Sequence, residues 1–309
     1  MTEPTTTGHP PVTVVIATRD RPGLLERAVG AVLAQDYPGP VECVVVYDHT
    51  DLRELDVDVP AGRTLRYVHN THRRGLPGGR NSGFDTATAD LIAFCDDDDH
   101  WLPAKLRRQV ELLAQRPDAA AASCGIRLEG PGIAKERQLD RAEVGLPDFV
   151  EDRIMEVHSS TILIRRSTWE AIGPVDEELP GGYGEDYEWL LRIAGHGPVV
   201  IVPEVLVVVD WHGGSFFFGR WATIVEATRY LLDKHPELAG SRTGLARLHG
   251  QIAFALASGR RRGEAVRELG RVIRLNPREK RVLVTVPVVL GLLSGERVLQ
   301  LAQRRGRGV

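Results

Sequence analysis

Leu91-Ile92-Ala93-Phe94-Cys95-Asp96-Asp97-Asp98-Asp99 runs an apolar stretch straight into four consecutive aspartates. Its first five residues read as a strand buried on both faces, because no polar position alternates with the apolar ones. Three similar runs precede it, at residues 12–17, 41–47 and 65–68. Between the first two lies a helical pattern, Leu24, Leu25, Ala28, Val29, Val32 and Leu33, with Pro22 suited to its first turn. Strands alternating with helices through short links predict an α/β fold with a mostly parallel sheet. Ligands of such sheets bind beyond the carboxyl ends of the strands. The polar clusters at residues 18–21, 48–51 and 96–99 all fall at such ends, which is the first functional signal.

Further along, the glycine-rich residues 75–83 lead into a short predicted helix at 81–89. A helix is expected at 101–115 with Pro103 near its start, then an apolar segment at 119–128. Residues 130–152 read as an irregular polar loop, and 158–165 as a strand. Gly181-Gly182-Tyr183-Gly184 precedes Glu185-Asp186 and a helix at 187–194. Residues 199–209 give one or two strands, broken by Pro203. From about Gly219 the pattern is helical, at 221–232, 245–257 and 264–275. The expected organisation is a flexible leader at 1–11, an α/β domain at 12–218 and a basic, all-helical extension at 219–309.

The 309 residues are 42% hydrophobic and 26% charged, which excludes wholesale disorder. Cys43, Cys95 and Cys124 are few, odd in number and without a CxxC, which argues against a disulfide framework or structural zinc and fits a reducing cytoplasm. A net charge of −3 argues against a globally basic nucleic-acid binder. The charge is uneven, however: residues 259–309 hold 13 Lys and Arg against 4 Asp and Glu. Arg260, Arg261, Arg262, Arg278, Lys280 and Arg281 lie on one side of the apolar residues 282–293 and Arg304, Arg305 and Arg307 on the other. That arrangement suits peripheral contact with the inner face of an anionic membrane. The competing reading is a helical cap on the α/β domain. The amino terminus lacks a secretory-signal pattern, and residues 282–293 are too short to span a bilayer.

Four adjacent carboxylates raise one another's pKa unless a cation intervenes, and carboxylate oxygens suit Mg²⁺ or Mn²⁺. A solvated acidic loop, or Asp99 or His100 at a helix start before Pro103, accounts for the same residues without a metal. Glu185-Asp186 is open to a similar reading, since acids favour the first turn of a helix.

Ala17-Thr18-Arg19-Asp20-Arg21-Pro22, Asp48, Gly79-Arg80-Asn81-Ser82-Gly83, Phe94 through Trp101, and Gly184-Glu185-Asp186-Tyr187-Glu188-Trp189 stand in the order seen in family 2 glycosyltransferases, which this chain resembles over residues 12–215. The resemblance implies a Rossmann-like GT-A domain and an inverting, metal-dependent enzyme using a nucleotide-diphosphate sugar, usually UDP-linked. It implies that Thr18 and Arg19 line the nucleoside pocket, that Asp48 recognises the base, and that Arg80 lies near the diphosphate. It places Asp96 or Asp97 near the ribose, Asp98 at a divalent metal (Mg²⁺ or Mn²⁺), His212 near that metal or the diphosphate, and Asp186 as catalytic base. Asp20 and Tyr47 depart from the commoner Asn and Asp, which leaves the base less determined than the fold. The implied acceptor is a saccharide, a lipid-linked glycan or a small natural product.

This chemistry is physically coherent. A departing diphosphate gains charge that a divalent ion and Arg80 can offset, and a carboxylate across the anomeric carbon can take the acceptor's proton. One base suffices for inversion, whereas double displacement needs a second, nucleophilic carboxylate. A nucleotidyltransferase would carry a Gly-rich, Lys-bearing phosphate loop, which residues 18–22 lack. The other rival is a non-catalytic, nucleotide-binding scaffold whose helical tail binds a partner.

Overall fold

The computed structural model describes residues 8–211, 217 and 219–303. In chain order the elements are β1 (Val12–Thr18), α1 (Pro22–Leu33), β2 (Val41–Tyr47), β3 (Arg63–His69), α2 (Leu76–Thr86), β4 (Leu91–Phe94), β5 (His100–Trp101), α3 (Lys105–Gln115), β6 (Ala121–Gly130), β7 (Ile133–Arg137) and β8 (Glu143–Val144). There follow α4 (Leu146–Glu151), β9 (Leu163–Arg165), α5 (Arg166–Ile172), α6 (Glu185–His196), β10 (Val199–Asp210), α7 (Trp221–Lys234), α8 (Arg242–Ser258), α9 (Arg262–Leu275), α10 (Arg281–Val289) and α11 (Gly295–Gln303).

The strands form one sheet in the order β3-β2-β1-β4-β9-β6-β10-β5, with β7 beside β6 and β8 beside β10. β3, β2, β1 and β4 are mutually parallel, so their carboxyl ends share one edge. β1 is buried along its whole length, as its unbroken apolar run predicts. β9 runs antiparallel between β4 and β6 and joins the two halves of the sheet. Trp101 and Trp189 are core aromatics, and the three cysteines are buried free thiols.

Five local expectations change. α2 begins at Leu76 rather than near residue 81, and takes in the glycine-rich stretch. Those glycines serve close packing: a Cβ on Gly83 would lie 2.2 Å from Val15 Cγ1, and one on Gly78 would lie 1.9 Å from the Arg73 carbonyl oxygen. Trp101 belongs to β5, paired with β10, so the helix after it begins only at Lys105. Residues 130–152 are largely regular, carrying β7, β8 and α4, because β6 and β10 offer unpaired edges to them. Residues 158–165 are a short 3₁₀ turn at Ser159–Thr161 followed by β9. Pro203 does not split β10; register shifts between Val202 and Val207 absorb it as a bulge.

The C-terminal helices share the main core. Leu231, Leu238 and Leu248 pack in one cluster with Phe149, Trp189 and Leu190 of α4 and α6. A second cluster joins Ile224, Phe254, Leu256, Ala265 and Val288. Leu283, Leu290 and Leu292 are exposed at 76%, 64% and 71%. Among the described residues no helix is long and apolar enough to cross a membrane.

Candidate active site

The parallel strands deliver the predicted polar clusters to one edge. Thr18 ends β1, Asp48 follows β2 and Asp96 follows β4. Asp48 is buried; its carboxylate accepts from Asn70 Nδ2 at 2.8 Å and from the Gly75 amide at 3.0 Å, while its own amide donates to the Thr18 carbonyl at 2.9 Å. It therefore fixes the loops around the first two strand ends. Arg19 is exposed beside it.

The four aspartates have four different environments. Asp96 accepts from Arg80 Nη2 at 2.8 Å and Ser159 Oγ at 2.9 Å. Burial pushes its pKa up, but Arg80 and His158 outweigh burial and hold it below the usual carboxylate range. Asp97 accepts from Thr18 Oγ1 at 2.7 Å and Arg21 Nη1 at 3.2 Å. Burial nonetheless raises its pKa. Asp98, half-exposed, accepts from Arg21 Nη1 at 2.9 Å. Burial, then Asp96 and Asp97, push it up to about 6. Asp99 is buried, accepting from Ser160 Oγ at 2.6 Å and the Asp210 amide at 3.1 Å, and burial holds its pKa well above the ordinary value.

Arg80 links this cluster to the second acidic motif. It is only 2% exposed, and its Nη1 donates to Glu185 Oε1 at 3.1 Å while Nη2 holds Asp96. Glycine packing sets α2 close on β1, which is what carries Arg80 into this position. Its guanidinium is thus shared between two carboxylates. Burial, then Asp186 and Asp96, raise Glu185 to about 7 against the opposing pull of Arg80. Asp186 is ion-paired with Arg153 and accepts from the Tyr187 amide at 2.8 Å. Burial raises its pKa, but Arg153, His158 and Arg80 together hold it below the usual range.

One continuous network therefore runs Asp96–Arg80–Glu185, with Asp186 and Arg153 adjoining. Thr18, Arg80, Asp96, Asp97, Asp98 and Asp186 lie in or beside it, Asp48 and Arg19 border it at the neighbouring strand ends, and His212 lies outside the described residues. Sequence reasoning missed Arg21, Arg153, His158, Ser159 and Ser160 as partners of these acids. Arg21 lay in view beside Thr18; the others come from segments distant in sequence and carry no local signal.

The donor set fits a hard divalent ion. Burial, then the like charges of Asp96 and Asp97, push Asp98 upward, and a cation would offset both. Ligand atoms of Asp96, Asp99 and His158 also lie within 4.8 Å of one another. Asp99 is the less suited of these, being enclosed by its hydrogen bonds to Ser160 and the Asp210 amide.

The chain is 26% identical over 298 residues to a pre-mycofactocin glycosyltransferase of Mycobacterium tuberculosis, covering 85% of this chain and 60% of that protein's length. A mannosyltransferase of Pyrobaculum calidifontis, solved with GDP-Man and Mn²⁺, shares its fold at TM-score 0.57 and 20% identity, covering 96% of this chain and 85% of the other. TarS residues 1–349 of S. aureus, solved with UDP-GlcNAc, does so at TM-score 0.57 and 16% identity, covering 96% of this chain and 92% of that one. The architecture they share with this chain is the GT-A fold. Residues 13–172 match the sequence model of glycosyl transferase family 2, just over half of the chain, and the chain belongs to that family.

Proposed function

We propose that the chain transfers a sugar, with inversion, from a nucleoside-diphosphate donor to an acceptor hydroxyl, and that Asp186 is the general base. The observation that carries this reading is Arg80, which binds one carboxylate of each acidic motif and so sets Asp186 beside the cluster that would hold the donor. Thr18, Arg19 and Asp48 border the nucleoside position at the ends of β1 and β2. Asp98, with Asp96, would hold a divalent ion, and that ion would offset charge on the departing diphosphate. Arg21, on Asp97 and Asp98, orients the donor-side acids. Asp186 takes the acceptor proton as the new bond forms, and with one base in place the configuration inverts.

The catalytic unit in this reading is residues 12–218, and the helices after it shape the acceptor side. The M. tuberculosis relative is named for pre-mycofactocin, and saccharide, lipid-linked and small-molecule acceptors all stay within the proposal. A lipid-linked acceptor would bring the basic, leucine-bearing face of α10 and α11 to an anionic membrane.

The test is direct. UDP- and GDP-sugars are screened with Mn²⁺ by thermal shift, and the stabilising donor is then used in a transfer assay. Asp186→Asn is expected to lower turnover about 100-fold or more while keeping nucleotide binding, and Asp98→Ala to abolish the Mn²⁺-dependent part of that binding. Full transfer by both variants rejects the assignment. A wild-type chain indifferent to every nucleotide favours the scaffold reading.

A further inference from the structure

A second group of charges lies on the far side of Asp186, and the proposed transfer reaction leaves it without a task. Arg153 follows α4 and pairs with Asp186. Arg247 comes from α8 and is 7% exposed. Its Nη2 donates to the Tyr187 hydroxyl at 2.8 Å, and its guanidinium lies 5.1 Å from the Tyr187 ring centre. Arg281 opens α10, and its side chain crosses α8 beside Gly250, where a Cβ would lie 3.2 Å from Arg281 Cδ.

Among the described residues Arg247 has no carboxylate within hydrogen-bonding distance. Asp152 Oδ1 is 3.6 Å from Nε and belongs to a side chain 72% exposed. The Nε atoms of Arg247 and Arg281 are buried and have no hydrogen-bond partner among the described residues, while Arg281 Nη1 donates to Glu279 Oε1 at 3.0 Å. Burial, and then Arg281 and Arg153, loosen the Arg247 proton relative to an ordinary guanidinium, while Tyr187 and Asp152 oppose them. A buried cation whose best partner is a neutral phenol is costly, and cations gathered around it raise that cost. An incoming anion removes it. Guanidinium forks match phosphoryl oxygens in pairs, and a dianion with three free oxygens suits three guanidiniums better than a carboxylate does.

We propose that Arg153, Arg247 and Arg281 form an anion pocket that takes a phosphoryl group of the acceptor and draws Arg153 away from Asp186. This rests on the reading of Asp186 as general base. An acceptor lacking the anion finds the base still covered by Arg153, whereas one bearing it uncovers the carboxylate as it docks. The C-terminal helices thereby acquire a role in substrate selection, since two of the three arginines come from α8 and α10.

The experiment measures binding alone, with no donor present. Glycerol 1-phosphate, farnesyl phosphate and glucuronate are titrated into the full chain and into Arg281→Gln, Arg153→Gln and, as the donor-side control, Arg21→Gln. Arg281 is partly exposed, so its variant keeps the fold where a change at buried Arg247 need not. Expected is a dissociation constant for the phosphorylated probe raised roughly tenfold or more in Arg281→Gln and Arg153→Gln and unchanged in Arg21→Gln. Binding of both phosphates supports the pocket for a soluble or a lipid-borne phosphoryl group, and binding of farnesyl phosphate alone supports it for the lipid-borne one. Equal affinity in wild type, Arg281→Gln and Arg153→Gln overturns the proposal. So does glucuronate binding as tightly as the phosphates, or a loss confined to Arg21→Gln. Nucleotide titration of the same samples separates the two readings: its failure in the wild-type chain rejects the transferase and leaves the anion result standing.

Discussion

Arg80 and Lys105 are both buried cations beside the same sheet, and they are held in opposite ways. Arg80 is enclosed by Asp96 and Glu185, so burial, which would lower its pKa, is more than offset by two carboxylates. Lys105 is fully buried, yet among the described residues its Nζ meets only the neutral Gln109 Oε1 at 2.8 Å and the Trp101 ring at 3.6 Å. Burial draws Lys105 down to about 8. The difference lies in where each residue stands. Arg80 is at the strand-end edge, where carboxylates are gathered for chemistry and need a counter-charge. Lys105 is in the hydrophobic layer beneath it, where nothing acidic is required.

The comparison can be broken most forcefully at Arg80. Arg80→Met leaves Asp96 and Glu185 buried without their shared cation and is expected to destabilise the fold by about 3–5 kcal/mol, read by urea denaturation. At Lys105 the sign reverses. Its folded pKa lies below the ordinary 10.5, so the penalty is fully present below about pH 8 and fades as pH rises towards 10.5. Lys105→Met should therefore gain about 1–3 kcal/mol at pH 7, and the gain should shrink by pH 10. Unchanged stability at pH 7 would show that Gln109 and Trp101 already compensate the charge.

Two smaller effects sharpen the contrast. Gly83→Ala forces a methyl group against Val15 and displaces α2, with an expected loss of about 1–3 kcal/mol and weaker nucleotide binding as Arg80 moves. Glu185 titrates opposite to most carboxylates of folded proteins. Its pKa is raised from 4.5 to about 7, so the ionised form is penalised and stability falls as pH rises through that window. Glu185→Gln should flatten the melting temperature across pH 4.5–7, and a slope left intact would assign the pH dependence to another group.

What the sequence showed well was whatever repeats locally. The uninterrupted apolar runs of β1, β2 and β4 and the acids after Phe94 locate the edge of the sheet and the site upon it. Glycines at 75–83 misled, because their purpose is contact with Val15 and Arg73, which no local period encodes. Residues 130–152 looked irregular because β7 and β8 exist only where β6 and β10 receive them. Arg153, His158 and Ser160 escaped notice for the same reason: each meets an acid tens of residues away, through pairing that the fold alone creates. Arg80 was found by motif, but its bridging of Asp96 and Glu185 required the packing of α2 to be known.

The placement of β9 bears on how the protein is made. During synthesis β1 through β4 can assemble once residue 94 has left the ribosome, yet the strand that covers the far flank of β4 is translated only at residues 163–165. In that interval Leu91–Phe94 offers a bare apolar edge able to recruit another nascent chain. Slow translation between these two points would lengthen that exposure, and chaperone demand should peak there rather than during production of the helical C-terminus.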